Sequence, residues 1–301
     1  MITYKKCYES TNLNKDEIIL DIETTGLDSA VDNLVVLGLI TYEGDKAYII
    51  QYFAEDNSEE IRLLEIYKQR IEGKKIINFN GDKFDIPFLN IRLDQLGLEP
   101  VFPESLDIYK VISNKRKYFT FESMKLMDLE KLIGIERKDP SRYKVISKLT
   151  DEIIRRDNPW PIMIHNEYDL VATEKLANIE EYFIDKLTSS ALDFKIFLRS
   201  VWINNDICQI ILDPSKDLSE AYFSAENYEL RVSSDEIIIN IQVLYGQFDT
   251  NTRGHVALNT FNLANESDTA VDPKLLIIRE NRLYNYKNIL NLSKKIIENH
   301  L

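Results

Sequence analysis

The chain has 301 residues, 44% of them hydrophobic and 29% charged, and a formal net charge of −13. That length suits one large domain or two ordinary ones, and the composition excludes wholesale disorder. The acidic balance excludes a nucleic-acid coat protein held by bulk electrostatics.

No apolar run approaches the roughly 18 residues of a membrane span. The two cysteines, Cys7 and Cys208, are too far apart in sequence to frame a disulfide scaffold. The start, Met1-Ile2-Thr3-Tyr4-Lys5-Lys6-Cys7, lacks the apolar stretch of a secretory signal. A cytoplasmic protein without membrane attachment is expected.

Residues 17–22 (Glu-Ile-Ile-Leu-Asp-Ile) read as a short buried strand ending in carboxylates. Residues 34–42 and 46–53 follow as a hairpin around Glu43-Gly44-Asp45. Asn57 or Ser58 is placed to cap a helix with Ile61, Leu64, Tyr67 and Ile71 at helical spacing. Residues 75–79 read as a strand, 85–96 as an amphipathic helix closed by Gly97, and 106–109 as a further strand. This order predicts an α/β fold, a mixed β-sheet with flanking helices.

Helices are then expected over 123–133, 141–157 and 164–187, with Pro159 and Pro161 breaking the last two apart. Beyond Ser189, residues 195–203, 208–212, 228–232 and 236–245 read as strands, with a tight turn at Ser233-Ser234-Asp235. A helix over 286–298 closes the chain. The expected domains are 1–188, and 189–301 as a smaller β-rich C-terminal region.

Asp21-Ile22-Glu23 is the most informative stretch. Alternation along a strand turns both carboxylates to one face, about 7 Å apart. Acids so close repel each other unless a cation compensates, and hard oxygen donors on a rigid strand suit Mg²⁺ or Mn²⁺. An isolated Asp-x-Glu is ordinarily a solvent-facing pair; the apolar strand before it and Thr24-Thr25-Gly26 after it favour the metal-binding reading.

Asn78-Phe79-Asn80-Gly81-Asp82-Lys83-Phe84-Asp85 places Asp85 at a helix start, where the dipole favours a carboxylate. A plain helix cap is the alternative for Asp85, and Asp82 is its rival. His165 and Asp169 lie four apart on a helix and share a face. An Asp there would hold a metal while the His orients or deprotonates attacking water. His255 and His300 read as ordinary surface histidines.

In this order the three elements resemble motifs I, II and III of the DEDD (DnaQ-like) 3′→5′ exonuclease superfamily, which includes proofreading domains of ribonuclease H-like fold. Carried over by position, the resemblance implies Asp21, Glu23, Asp85 and Asp169 as the carboxylates holding two Mg²⁺ (or Mn²⁺) ions for phosphodiester hydrolysis. The common third motifs place a Tyr four residues, or a His five, before the last Asp; here His165 stands four before Asp169. With Lys125-Leu-Met-Asp-Leu-Glu-Lys-Leu-Ile-Gly-Ile135 upstream, followed by His165-Asn166-x-x-Asp169-Leu-Val, that departure resembles the YprB-like branch of predicted exonucleases. The resemblance covers about residues 15–185.

It further implies catalytic assistance from His165 and substrate binding by Thr24, Thr25, Gly26, Leu27, Asn80 and Lys83. The expected partner is a single-stranded 3′ end of nucleic acid, DNA ahead of RNA. Between Lys110 and Arg156 there are 13 Lys/Arg against 7 Asp/Glu, a candidate phosphate-contacting wall. A catalytically silent binding module is the rival reading, opposed by four intact acids.

The C-terminal region carries no motif and, from Ser190 onward, 11 Lys/Arg against 15 Asp/Glu, so it lacks a basic footprint. Its aromatics, Trp202, Tyr222, Phe223, Tyr228, Tyr245 and Phe248, read more readily as core than as base-stacking residues, and a protein partner suits the region as well.

Overall fold

The computed structural model describes residues 1–135 and 146–301, without the side chains of 146–148. The chain divides into two compact units, Met1–Ser113 with Phe121–Ile179, and Asn114–Thr120 with Glu180–Leu301.

The first unit is built on strands β1 (Ile2–Tyr8), β2 (Glu17–Thr24), β3 (Leu34–Glu43), β4 (Lys46–Phe53), β5 (Lys75–Asn78) and β6 (Ser105–Asp107). They lie in the order β1-β4-β3-β2-β5-β6, with β5 and β6 parallel to β2 and the rest antiparallel. Period-two alternation decides which residues face which layer. Ile18, Leu20 and Ile22 of β2, with Leu37, Leu39, Ile50 and Tyr52, pack on one face against α1 (Glu60–Ile71) and α2 (Asp85–Gln95). Each fully buried aliphatic there contributes about 1.5–3 kcal/mol. Helices α3 (Ile108–Asn114) and α4 (Leu126–Leu129) follow. On the opposite face Val36 and Phe53 meet Ile153 of α5 (Ile146–Arg155) and Ile162 and Met163 of α6 (Pro159–Leu176). The mixed sheet with flanking helices expected from the element order is present.

Several local expectations change. Asp56, not Asn57 or Ser58, accepts the capping bond, from the Ser58 N–H, and a 3-10 turn precedes α1. Ile61 is exposed, and Leu63 takes the core position beside Leu64. The strand expected over 106–109 stops at Asp107, and α3 begins at once. Pro159 opens α6 rather than merely ending its predecessor: Asn158 caps the helix, and the missing proline N–H falls where no helical bond is needed. The helix expected over 123–133 is one short α turn followed by a 3-10 turn. The one expected over 164–187 ends at Leu176, and a separate helix, α7 (Ile179–Lys186), follows. Strand β1 has no counterpart among the expected elements; as an edge strand it buries little, so its period-two signal is weak.

The second unit contains β7 (Thr188–Ala191), β8 (Phe194–Asn204), β9 (Ile207–Pro214), β10 (Ala221–Ser224), β11 (Tyr228–Val232), β12 (Ile237–Gln247), β13 (Arg253–Leu258), β14 (Leu275–Glu280) and β15 (Leu283–Tyr284). Alternating Ile237, Ile239, Ile241 and Val243 face a core completed by Ile289, Leu292, Ile296 and Ile297 of α8 (Tyr286–His300). The β-rich region ending in a helix is thus as expected, with β7, β10, β13, β14 and β15 added. Among the described residues no helix is long and apolar enough to cross a membrane.

Candidate active site

Strand β2 turns its odd residues, Asp21 and Glu23, toward the face covered by α6. A register shift between Glu23 and Thr24 ends the regular ladder and starts the 25–33 loop. From the far side of β2, Asp85 at the head of α2 reaches the same strand, its Oδ1 accepting the Ile22 N–H at 3.3 Å. Asp169 comes from α6, where His165 Nε2 lies 3.6 Å from its Oδ2.

The four carboxyls share one electrostatic environment. Burial is the leading cause that holds Asp21 well above the usual carboxylate range, followed by the charges of Asp169, Asp85 and Glu23. Glu23 is raised well above its ordinary value by burial and then by Asp169 and Asp85. Asp85 is pushed up to about 7, first by burial and then by Asp107 and Asp169, against the pull of its own and the Ile22 backbone N–H. Among the described residues no three His, Cys, Asp or Glu side chains converge as a metal-ligating group. The fit to a divalent cation is therefore one of charge and donor type: Asp85 is buried and Asp21, Glu23 and Asp169 half-buried, and such mutually repelling oxygen donors are relieved by a cation.

The remaining predicted residues divide. Thr24 Oγ1 donates to the Gly26 carbonyl at 2.6 Å. Thr25 Oγ1 donates to Asp32 at 2.9 Å and accepts the Asn33 N–H at 3.0 Å. Both hydroxyls are thus spent closing the 25–33 loop. A Cβ at Gly26 would sit 2.4 Å from Asp32 Oδ2, so an internal carboxylate explains this glycine without a nucleotide. The loop presents Leu27, 85% exposed. Its base is pinned by Glu60, which accepts from Asn33 Nδ2 and Leu34 N–H and pairs with Arg92 at 2.6 Å.

Asn80 adopts a left-handed φ of 63° and donates its N–H to Asp107 at 2.8 Å. Lys83 is exposed, its ammonium 5.9 Å from the Tyr109 ring centroid. Asp82 is bound elsewhere, by Ser105 and Lys110 at 2.5 Å each, and does not join the carboxyl set.

The basic stretch is divided between the two units. Lys115, Arg116 and Lys117 fold with the second unit. Lys110 pairs with Asp82, Lys131 with Asp128, and Arg156 bonds Asn57 and the Ala54 carbonyl. Arg137, Lys138, Arg142 and Lys144 lie outside the described residues, as does the Lys148 side chain.

Of the C-terminal aromatics, Tyr228 is buried, Phe223 and Phe248 are half-buried, and Trp202, Tyr222 and Tyr245 are exposed. His300 is no free surface histidine: its Nε2 meets Tyr228 Oη at 2.8 Å, and its ring stacks on Phe223.

Two residues beside the carboxyl set have no role in the sequence reading. Asn166, fully buried, donates Nδ2 to Asp21 Oδ2 at 2.7 Å. Asp107, also buried, fastens the Asn80 and Tyr109 N–H groups with Oδ1, and its Oδ2 is buried without a hydrogen-bond partner. An Asp closing a strand, as Asp21 nearly does, is the signal that points to Asp107.

Residues 18–180 match the family model of the RNase H superfamily. The PolC-type DNA polymerase III of Ureaplasma parvum is 26% identical over 215 residues, 64% of this chain and 14% of the polymerase. DNA polymerase 1 of Aeropyrum pernix is 34% identical over 79 residues, 26% of this chain and 8% of that protein. The chain thus spans a small part of these relatives. A zinc-bound complex of E. coli ExoI with ssDNA is 14% identical, over 65% of this chain and 53% of that one, with a TM-score of 0.37.

Proposed function

The chain belongs to the RNase H superfamily, and from that premise we propose that its first unit is a divalent-metal-dependent 3′→5′ exonuclease acting on single-stranded nucleic acid. The observation that carries this reading is the set of Asp21, Glu23 and Asp85 carboxyls, each raised by burial and by Asp169. Acids that destabilise one another in a partly buried cluster are relieved by a bound cation. DNA polymerases among the relatives favour DNA over RNA. The narrower YprB-like assignment rests on the His165 and 125–135 motifs.

Asp21, Glu23, Asp85 and Asp169 would hold two Mg²⁺ or Mn²⁺ ions. Such ions supply Lewis-acid polarisation of a phosphate and acidify water. His165, beside Asp169, would accept the proton of the attacking water at Nε2. The loop closed by Thr25 and Asp32 holds Leu27 outward, where it would lie against the terminal base. Lys83 and the free face of Asn80 would contact phosphate. These roles leave Thr24, Thr25 and Gly26 contributing through backbone shape, since their side-chain positions are already used. The second unit, acidic and with exposed Trp202, Tyr222 and Tyr245, suits a protein partner better than a phosphate backbone.

Digestion of a 5′-labelled single-stranded DNA, its RNA counterpart and a circular DNA, with Mg²⁺, Mn²⁺ or EDTA, tests this. A metal-dependent ladder from the linear strands, absent with Asp21→Asn and with the circle, is expected. Cutting of the circle overturns the exonuclease reading, and a ladder that loses the 5′ label first overturns its 3′→5′ polarity; no cleavage under any metal overturns the nuclease reading.

A further inference from the structure

A row of three residues crosses the sheet next to the acids. Asp21 on β2 pairs in register with Gly38 on β3, and Gly38 with Gln51 on β4. Directly opposed residues share a face, so the three stand side by side beneath α6. Over the middle of the row sits Asn166. A Cβ at Gly38 would lie 2.0 Å from Asn166 Oδ1, so the glycine opens the notch that the amide fills. This accounts for a glycine among the buried aliphatic residues of the strand's first half.

The hydrogen bonds run one way along this row. Gln51 Nε2 donates to the Met163 carbonyl and to Asn166 Oδ1, at 2.7 Å each. A carbonyl can only accept, so Met163 fixes which end of the Gln51 amide faces α6. That in turn fixes Asn166 with its oxygen toward Gln51 and its Nδ2 toward Asp21 Oδ2 at 2.7 Å and the Asp21 carbonyl at 3.3 Å. A flipped Asn166 would set two oxygens against each other at Asp21 and two donors against each other at Gln51.

We propose that Asn166 is the positioning residue for Asp21, oriented by Gln51 and seated on Gly38. The inference rests on the nuclease reading above and deepens it. Asn166 lies on α6 between His165 and Asp169, so the same bond that aims Asp21 also sets where the helix delivers its own acid. A neutral amide suits this place. It restrains one oxygen of Asp21 without bringing a positive charge that would compete with a cation, as Lys or Arg would.

A double-mutant cycle over Asn166→Ala and Gln51→Met tests the relay, read by kcat and KM on linear DNA, by Mn²⁺ affinity from the free-ion resonance signal, and by thermal melting. Asn166→Ala is expected to lower kcat and Mn²⁺ affinity by about 10–100-fold, the range for residues that orient metal ligands. KM for the oligonucleotide stays within about threefold, because Asn166 holds Asp21 rather than the substrate. Gln51→Met lowers both quantities by less, and the double variant is no worse than Asn166→Ala, since the two act through one bond.

Folded Asn166→Ala with unchanged kcat and Mn²⁺ affinity overturns the inference, as do effects that multiply in the double variant. If Asn166→Ala fails to fold, Gln51→Met decides: unchanged kcat and Mn²⁺ affinity overturn the relay. A wild-type chain with neither metal-dependent cleavage nor Mn²⁺ binding overturns the nuclease reading itself, and the inference with it.

Discussion

The two units bury polar groups in different ways. Among the described residues the first unit buries Glu60, Asp85, Arg92, Asp107, Glu130 and Glu174, whereas the second buries Asn227, Asn259, Asn288 and Ser293 and no charged side chain. The amides of the second unit fasten loops: Asn259 binds the Leu263 and Pro273 carbonyls and the Leu263 N–H, and Asn288 spans Ile277, Asn265 and the Glu266 N–H. In the first unit the acids differ in whether donors and cations or other acids dominate around them. Glu174 accepts from Tyr8, Ser10, Thr11 and Asn12, and Glu60 is paired with Arg92, so both carboxyls sit below their ordinary values despite burial. Asp21, Glu23 and Asp85 are raised instead. Burial alone therefore does not distinguish these acids; like charges facing one another do.

The sharpest test of that contrast separates the satisfied acids from the others. Arg92→Met leaves Glu60 uncompensated and is expected to destabilise the chain by about 3–5 kcal/mol in urea unfolding, the usual effect of breaking a buried ion pair. Asp169→Asn should instead lower nuclease turnover by at least about a hundredfold, roughly 2.7 kcal/mol of barrier, while leaving the metal-free melting temperature unchanged or higher. A large drop in stability with Asp169→Asn would place that acid with the structural ones.

In the second unit, Asn259→Ala removes one amide that serves three backbone groups. A loss of about 1–3 kcal/mol is expected in urea unfolding, with Mn²⁺ affinity untouched.

The smallest effect is on pH. A carboxyl whose folded pKa is raised supports the fold fully below its unfolded value and loses that contribution as pH rises through the folded one. Asp85, pushed up to about 7, with Asp21 and Glu23 also raised, makes the metal-free chain melt lower at pH 8 than at pH 5.5. Glu60 and Glu174, lowered, act in the opposite sense only in more acidic solution, below the ordinary carboxylate value of about 4. Saturating Mg²⁺ should flatten the fall toward pH 8. A flat metal-free profile from pH 5.5 to 8 would show that the acids do not repel as described.

What the sequence reveals and what it hides follow one physical line. Asp21, Glu23, Asp85, His165 and Asp169 stand in short local patterns on a strand end, a helix start and one helix face, and local patterns survive translation into residue spacing. Gln51 does not, and Asn166, though beside His165 in sequence, shows its proposed role only through which strand lies beside which; the pairing of β2 with β3 and of β3 with β4 is a matter of register between distant residues. Asp107 is hidden for a related reason: its strand, β6, is only three residues long, and the next residue starts a helix. Thr25 and Gly26 read as substrate-binding because Asp32, which occupies both, lies outside the motif that contains them.

The notch at Gly38 also bears on how this chain can change. A methyl group at position 38 evicts the amide above it, and a smaller side chain at 166 tolerates the methyl group but abandons Gln51. A change at position 38 or 51 costs little only once Asn166 is lost, and that loss is itself harmful because Asp21 goes unheld. Positions 38, 51 and 166 are therefore expected to drift together across descendants of this sequence or not at all, a ratchet of three side chains on three separate elements.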